Sequence, residues 1–214
     1  MRTRNPPLFV LSYPTNSGPP DGVWGMNEEC DSSWSPDVYQ RAWTFATLAH
    51  SGQTYGGPEQ DMQIDYINHV GSVAMEVIWA LSSSRPCNAE LAIQCALLHD
   101  VIEDTGVTDD ELRQQFGEAV ARGVRALSKD RKIADRTEQM RECLSRIRSQ
   151  PTEIWMVKLA DRITNLYHPP YYWDRNKIAS YLQEARMIYE ALKEGNEVLA
   201  ARLRDKIQAY KRFL

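Results

Sequence analysis

Leu91-Ala92-Ile93-Gln94-Cys95-Ala96-Leu97-Leu98-His99-Asp100-Val101-Ile102-Glu103-Asp104-Thr105 is the stretch that decides the fold and points at the chemistry. Eight residues, apolar at all but one, lead straight into a histidine and three acids. Ionisable groups at the end of so apolar a run are costly unless something pairs them, and a divalent cation is the obvious partner. On a continuous helix His99 and Glu103 lie four apart, as do Asp100 and Asp104, so each pair shares a face. The segment predicts a buried helix whose C-terminal end carries a metal and a bound water, and hence a metal-dependent hydrolase.

The rest of the chain reads as helix on both sides. Ser35-Pro36-Asp37 is a start signal, with a cap residue, a proline at the first position and an early acid. That helix runs to about His50. Residues 51 to 63 are polar and Gly-rich, and read as a loop. A second helix is predicted from about Ile64 to Ser83, with apolar spacing at Ile67, Val70, Val73, Ala74, Val77 and Ile78. Asn88 caps the helix of the opening stretch, and Thr108-Asp109-Asp110-Glu111 reads as a capping box for a helix through Phe116. Further helical patterns cover about 117–128, 133–149, 152–166, 175–193 and 196–213. No segment alternates with a period of two, so the prediction is an all-α bundle of eight or nine helices with no significant sheet.

Composition sets the limits. The 214 residues are 43% hydrophobic and 25% charged, the profile of a soluble globular protein with one sizeable core. Residues 1–34, rich in Pro, Gly, Ser and Asn, are expected to form an extended or disordered tail, and 35–214 the domain. Met26 competes with Met1 as the true start. Pro6-Pro7 interrupts the short apolar patch near Met1, so no signal peptide is predicted. No apolar run approaches the roughly 20 residues of a membrane span. A net charge of −4 argues against a nucleic-acid binder. Cys30, Cys87, Cys95 and Cys143 show no CxxC spacing. That disfavours a thiolate zinc site and fits free thiols in a reducing cytoplasm. A homo-oligomer is left open.

Two more polar residues interrupt core-like helices: His69 in Tyr66-Ile67-Asn68-His69-Val70, and Asp161 in Met156-Val157-Lys158-Leu159-Ala160-Asp161-Arg162. With His99 and Asp100 they give two imidazoles and two carboxylates. Such a set suits Mn²⁺, Fe²⁺ or Mg²⁺ more than structural zinc, and leaves positions for water and substrate oxygens. His69 could equally be a satisfied core histidine, and Asp161 a buried ion pair with Lys158 or Arg162. His50 and His168 read as structural.

Taken in order, these blocks resemble the HD-domain superfamily of metal-dependent phosphohydrolases, and within it the RelA/SpoT-type hydrolase domain of the stringent-response alarmone (p)ppGpp. The resemblance spans about residues 36–200. It rests on Ala49-His50-x-Gly52-Gln53, Tyr66-Ile67-x-His69, Ala96 to Thr105, Phe116-Gly117-x-x-Val120 and Val157-Lys158-Leu159-Ala160-Asp161-Arg162-x-x-Asn165-Leu166. It implies His69, His99, Asp100 and Asp161 as metal ligands with Mn²⁺ the usual ion, and Glu103 and Asp104 as the groups that position and activate water. It implies a nucleotide substrate losing its 3′-pyrophosphate. Lys177 and Tyr181, in Trp173-x-x-x-Lys177-x-x-x-Tyr181, match a phosphate-contacting segment, with lysine where the family commonly has arginine. Asn165 matches a position near the nucleoside, and Lys129 is a further phosphate contact by alignment.

The resemblance breaks after Gln53. There the family usually carries an Arg-Lys pair that packs on the base and its phosphates, and this chain has Thr54-Tyr55-Gly56-Gly57. Tyr55 can still stack on a base. The altered base-reading segment keeps three alternatives in play: a (p)ppApp hydrolase, another nucleotide phosphohydrolase on the same metal, and a catalytically weak alarmone-binding module.

Overall fold

The structure, a computed structural model, describes residues 34–82 and 88–214. Residues 1–33, with the expected tail and the choice between Met1 and Met26, lie outside the described residues, as do Cys30 and Cys87.

Among the described residues there are nine helices and one further single turn: α1 (Pro36–Ala49), α2 (Ile67–Leu81), α3 (Ala89–Leu98), the turn α4 (Val101–Asp104), α5 (Asp109–Phe116), α6 (Glu118–Leu127), α7 (Arg136–Arg148), α8 (Thr152–Asn165), α9 (Arg175–Leu192) and α10 (Glu197–Tyr210). A 3₁₀ turn, Lys211–Phe213, follows. The predicted start signals are in place. Ser35 Oγ accepts from the Asp37 N–H, Asn88 Oδ1 accepts from the Leu91 N–H, and Thr108 and Glu111 form a reciprocal capping box. Gly117, at φ 86°, supplies the left-handed residue that lets α5 stop and α6 start at once.

Two local expectations fail. Residues 51–63 are not wholly loop: Thr54–Gly56 (β1) and Gln63–Asp65 (β2) pair antiparallel, with Tyr55 opposite Ile64. Three-residue strands are too short to show a period, and the pairing depends on a turn closed by Gly57 N–H donating to Met62 O. Because β2 occupies 63–65, α2 begins at Ile67 rather than Ile64. The second failure is the opening stretch, where the helix ends at Leu98 instead of running on through Asp104.

α3 is the central element and packs on α1, α2, α6 and α8. Its apolar run is buried on every side, with Ala92, Cys95, Ala96, Leu97 and Leu98 all at 0% exposure. α8 in turn packs on α2, α3, α9 and α10. The three innermost helices, α2, α3 and α8, are therefore the ones bearing His69, His99 and Asp161. Leu97→Ala should cost about 2–5 kcal/mol, as deletion from a rigid core does. Leu48→Ala, at a half-exposed position on α1, should stay within about 0.5 kcal/mol. Urea denaturation of the two variants checks this ordering, and comparable losses would contradict a central α3.

Candidate active site

The break after Leu98 is what assembles the site. His99 keeps helical angles but closes α3, and Asp100, at φ −106° and ψ −1°, turns the chain into α4. Adjacent residues on a regular helix diverge by about 100°. Here they converge instead, with His99 Nε2 2.9 Å from Asp100 Oδ2. The expected face-sharing of His99 with Glu103 and of Asp100 with Asp104 gives way to this inner pair and an outer pair.

Hydrogen bonds fix both imidazoles. His99 Nδ1 lies 2.8 Å from the carbonyl of Ala96, which can only accept, so Nδ1 carries a proton. His69 Nδ1 faces Thr164 Oγ1 at 3.3 Å, and that hydroxyl donates to Asp161 O at 2.8 Å. It must accept from His69, which protonates Nδ1 there as well. Both Nε2 atoms therefore turn inward as electron-pair donors. His99 Nε2 is fully buried, and despite its nearness to Asp100 it lacks the alignment of a hydrogen bond. A ring nitrogen locked on one side and left without a partner on the other is the arrangement of a metal-ligating histidine.

Asp161 completes the group. Its Oδ1 sits 3.4 Å from His69 Nε2 and accepts from Asn165 Nδ2 at 2.6 Å, while Oδ2 accepts from Lys158 Nζ at 2.9 Å. Ligand atoms of His69, His99 and Asp161 all lie within 4.8 Å of one another. Asp100 Oδ2 is 3.9 Å from His69 Nε2 and accepts a hydrogen bond from the Tyr66 hydroxyl.

Burial works against charge on Asp100, Asp161 and His99, and their neighbours override it. Asp100 is held well below the usual carboxylate range by His99, and Asp161 by Lys158 and the two imidazoles. Burial lowers His99, yet the Asp100 carboxylate lifts it to about 9. In a chain without a metal, a proton thus answers the same negative potential that a cation would.

Glu103 and Asp104 occupy the rim. Glu103 Oε2 accepts from the Lys129 backbone N–H at 2.9 Å, and Oε1 is 3.5 Å from Lys129 Nζ. Asp104 pairs with Arg131 at 3.0 Å. Burial, followed by Asp100 and Glu103, raises the Asp104 carboxyl. His50 has a part that its structural reading did not include. Its Nδ1 lies 2.6 Å from Gln53 Oε1, and Gln53 Nε2 donates to the Asp104 carbonyl at 2.6 Å, which ties the α4 turn to the end of α1.

Beside the cluster opens a cavity of about 470 Å³ whose wall includes His69, Tyr55, Asn165 and Tyr181. The β1–β2 hairpin forms one side and the segment between α8 and α9 another. Tyr171 N–H donates to Gly57 O, and the Tyr172 ring lies where a Gly56 side chain would be. No lysine or arginine lines the cavity. Lys177 stands just outside, 5.2 Å from the centre of the Trp173 ring that does line it. Lys129 is on the Glu103 side and does not line the cavity.

Sequence reasoning gave no role to Tyr66 or Thr164 as supports of the cluster. It weighed a buried ion pair of Asp161 with Lys158 or Arg162, and the fold forms the Lys158 pair at 2.9 Å. Tyr66 and Asp100 are 34 residues apart, so only tertiary structure could join them.

This fold and cluster define a class of protein. The chain belongs to the HD-domain family, whose pattern matches residues 42–200. A His/His/Asp cluster in an HD domain is a divalent-metal site. Among its relatives is the guanosine-3′,5′-bis(diphosphate) 3′-pyrophosphohydrolase MESH1 of Danio rerio, 30% identical over 165 residues covering 75% of this chain and 87% of that protein. The Homo sapiens MESH1 is 30% identical over 164 residues, with 75% and 87% covered. A solved metazoan ortholog of SpoT, which hydrolyses ppGpp and plays a role in starvation responses, shares the fold. Its TM-score is 0.71 at 24% identity, over 85% of this chain and 99% of that one.

Divalent cation at 100 times its Kd should stabilise the protein by about 2.7 kcal/mol, a rise of about 5–10 °C in Tm for a chain of this size. Chelation should reverse the rise and His99→Ala should abolish it in a thermal-shift assay. Tyr66→Phe, which removes only the hydroxyl from Asp100, should weaken metal affinity by about 10–100-fold. Metal titration of the variant reads this directly.

Proposed function

We propose that this protein is a divalent-metal-dependent phosphohydrolase that removes the 3′-pyrophosphate from a (p)ppGpp-like nucleotide. The observation that carries the reading is the inward-facing His69, His99 and Asp161 atoms beside a nucleoside-sized cavity, in a chain related to named 3′-pyrophosphohydrolases. His69, His99, Asp100 and Asp161 would hold the ion, and the mixed nitrogen and oxygen set supports Mn²⁺, with Fe²⁺ and Mg²⁺ as substitutes. Once bound, such an ion supplies Lewis acidity and lowers the pKa of water.

The remaining work falls to side chains. Asp104, its carboxyl raised by burial and by two neighbouring carboxylates, is suited to take the proton from the attacking water. Glu103, held on both oxygens by Lys129, orients that water. Water adds to the phosphorus as its proton passes to Asp104, the bond from phosphorus to the nucleoside 3′-oxygen breaks, and a proton returned to that oxygen leaves a free 3′-hydroxyl and pyrophosphate as the products. Lys129 and Arg131, paired with Glu103 and Asp104 on this rim, and Lys177 beside Trp173 offset the charge of the pyrophosphate. Tyr55, Asn165 and Tyr181 take the nucleoside, with Tyr55 available to stack on the base. Buried thiols at Cys95 and Cys143 support a reducing, cytoplasmic setting.

The cavity wall, which has no lysine or arginine, also favours a second reading. With Tyr55-Gly56 in place of a basic pair, the base contact has no cation, which keeps (p)ppApp and nucleotides with a simple 3′- or 2′-phosphate as competing substrates. Incubation with ppGpp and ppApp plus Mn²⁺ should release pyrophosphate from at least one. Orthophosphate alone would point to the simpler phosphates, and tight binding without turnover to a sensing module. Asp161→Ala should lower kcat by more than the roughly 100-fold typical of outer-shell changes. A variant with full activity and full metal content would remove Asp161 from the ligand set.

A further inference from the structure

The far end of the cavity carries a second concentration of charge. His69 and Glu76 both line the cavity and sit seven residues apart on α2, two turns and about 10 Å along the axis. Glu76 is 1% exposed and fully engaged by Arg202, whose Nε donates to Oε2 at 2.6 Å while Nη2 donates to Oε1. Next to this pair, Lys206 Nζ rests 3.1 Å from the centre of the Tyr167 ring. Arg212 lies over Phe213, and Phe213 packs edge-on against His168 at 4.5 Å. Tyr167 and His168 both line the cavity.

Three cations, Arg202, Lys206 and Arg212, thus meet one carboxylate, and that carboxylate is spent on Arg202. Among the described residues neither Lys206 nor Arg212 has a carboxylate within ion-pairing distance. Burial and then the repulsion of Arg202 and Arg212 lower the Lys206 ammonium despite Glu76. Uncompensated like charges crowded at the lip of a cavity raise the local concentration of anions. The wall between the two ends bears no lysine or arginine, so anionic groups are drawn to the ends and a neutral, flat group to the middle. A ribose carrying phosphoryl groups on its 3′ and 5′ oxygens, with its base among the aromatics, has that distribution.

We propose that Lys206 and Arg212, buttressed by the Arg202–Glu76 pair, form a distal subsite for the 5′-diphosphate of the substrate, at the opposite end of the cavity from the metal cluster. The inference rests on the nucleotide reading above and adds which end of the nucleotide goes where. Lys206 exchanges its contact with the Tyr167 face for phosphoryl oxygens, leaving that ring free to pack on the sugar. Arg202 stays with Glu76, since leaving it would strand a buried carboxylate.

The test is equilibrium binding, independent of turnover. The full chain, kept in chelator so that no phosphate is drawn to the metal cluster, is titrated calorimetrically with GDP and ADP and with guanosine and adenosine. At least one nucleoside 5′-diphosphate should bind about tenfold more tightly than its nucleoside, and the gap should narrow as salt is raised. Lys206→Gln with Arg212→Gln, at a half-buried and an exposed position, should shrink the gap to under about threefold with helical content by circular dichroism unchanged, and Lys206→Glu should abolish it. No gap in the wild type, a gap that survives these changes, or closure of the gap by Lys177→Gln instead would overturn the proposal. A protein that shows the gap yet releases no pyrophosphate from any nucleotide would overturn the hydrolase reading and leave the subsite standing.

Discussion

Everything around the centre of this molecule answers one constraint: two carboxylates and two imidazoles are packed together, with His69, His99 and Asp161 buried and Asp100 mostly so. Burying an uncompensated charge is among the costliest things a fold can do. Lys158, itself 5% exposed, answers one carboxylate by pairing with Asp161. With both imidazoles neutral at Nε2, the balance is two negative charges against one positive, a residual of −1. A proton on His99 brings this to zero, consistent with its raised pKa. A divalent ion brings it to +1, the sign that an anionic substrate requires. The cluster is therefore built to be completed by a cation, and Lys158 sets how much charge that cation leaves over.

The same constraint explains how secondary structure is arranged around the site. A continuous helix through Asp104 would hold His99 and Asp100 apart, so α3 stops at Leu98 and α4 restarts with a hydrogen bond from Asp104 N–H to Asp100 O. The turn between is fastened from two directions, by Tyr66 to Asp100 and by Gln53 to the Asp104 carbonyl. Both fasteners flank the β1–β2 hairpin. The strands thus do more than close a loop, because they fix the spacing between the end of α1 and the start of α2 and so set where Gln53 and Tyr66 meet the broken helix.

Much of this was legible in the sequence because burial of a polar residue leaves a local signature. His69, His99 and Asp161 stand out as interruptions in apolar helices, and the caps at Ser35, Asn88 and Thr108 are short-range chemistry confined to four residues. What was hidden depends on distance or on brevity. The Tyr66–Asp100 contact links residues that no periodicity connects. The hairpin strands are three residues long and include a glycine. The helix break at His99–Asp100 contains neither glycine nor proline, and the chain turns there because the converging side chains and the Ala96 carbonyl offer partners that a regular helix would not. Lys129 was aligned as a phosphate contact, and the fold adds a bond from its backbone N–H to Glu103, which a pattern of residue types cannot express.

The link between the cluster and the cavity runs through Arg162. It follows Asp161 on α8 and is 3% exposed, with its guanidinium 4.0 Å from the centre of the Tyr181 ring and Nη2 3.3 Å from Glu184. Burial and Arg162 act in opposite directions on the Tyr181 hydroxyl, and burial prevails, pushing it up to about 12. Tyr181 is thus a neutral phenol at any ordinary pH, able to donate a hydrogen bond into the cavity but not to repel a phosphate. Its ring also packs edge-on against Trp173 at 4.9 Å. One helix therefore presents Asp161 to the metal position while its next residue braces the aromatic wall on α9. A shift of α8 would move Asp161 and the aromatic wall together, which keeps the cavity in register with the cluster.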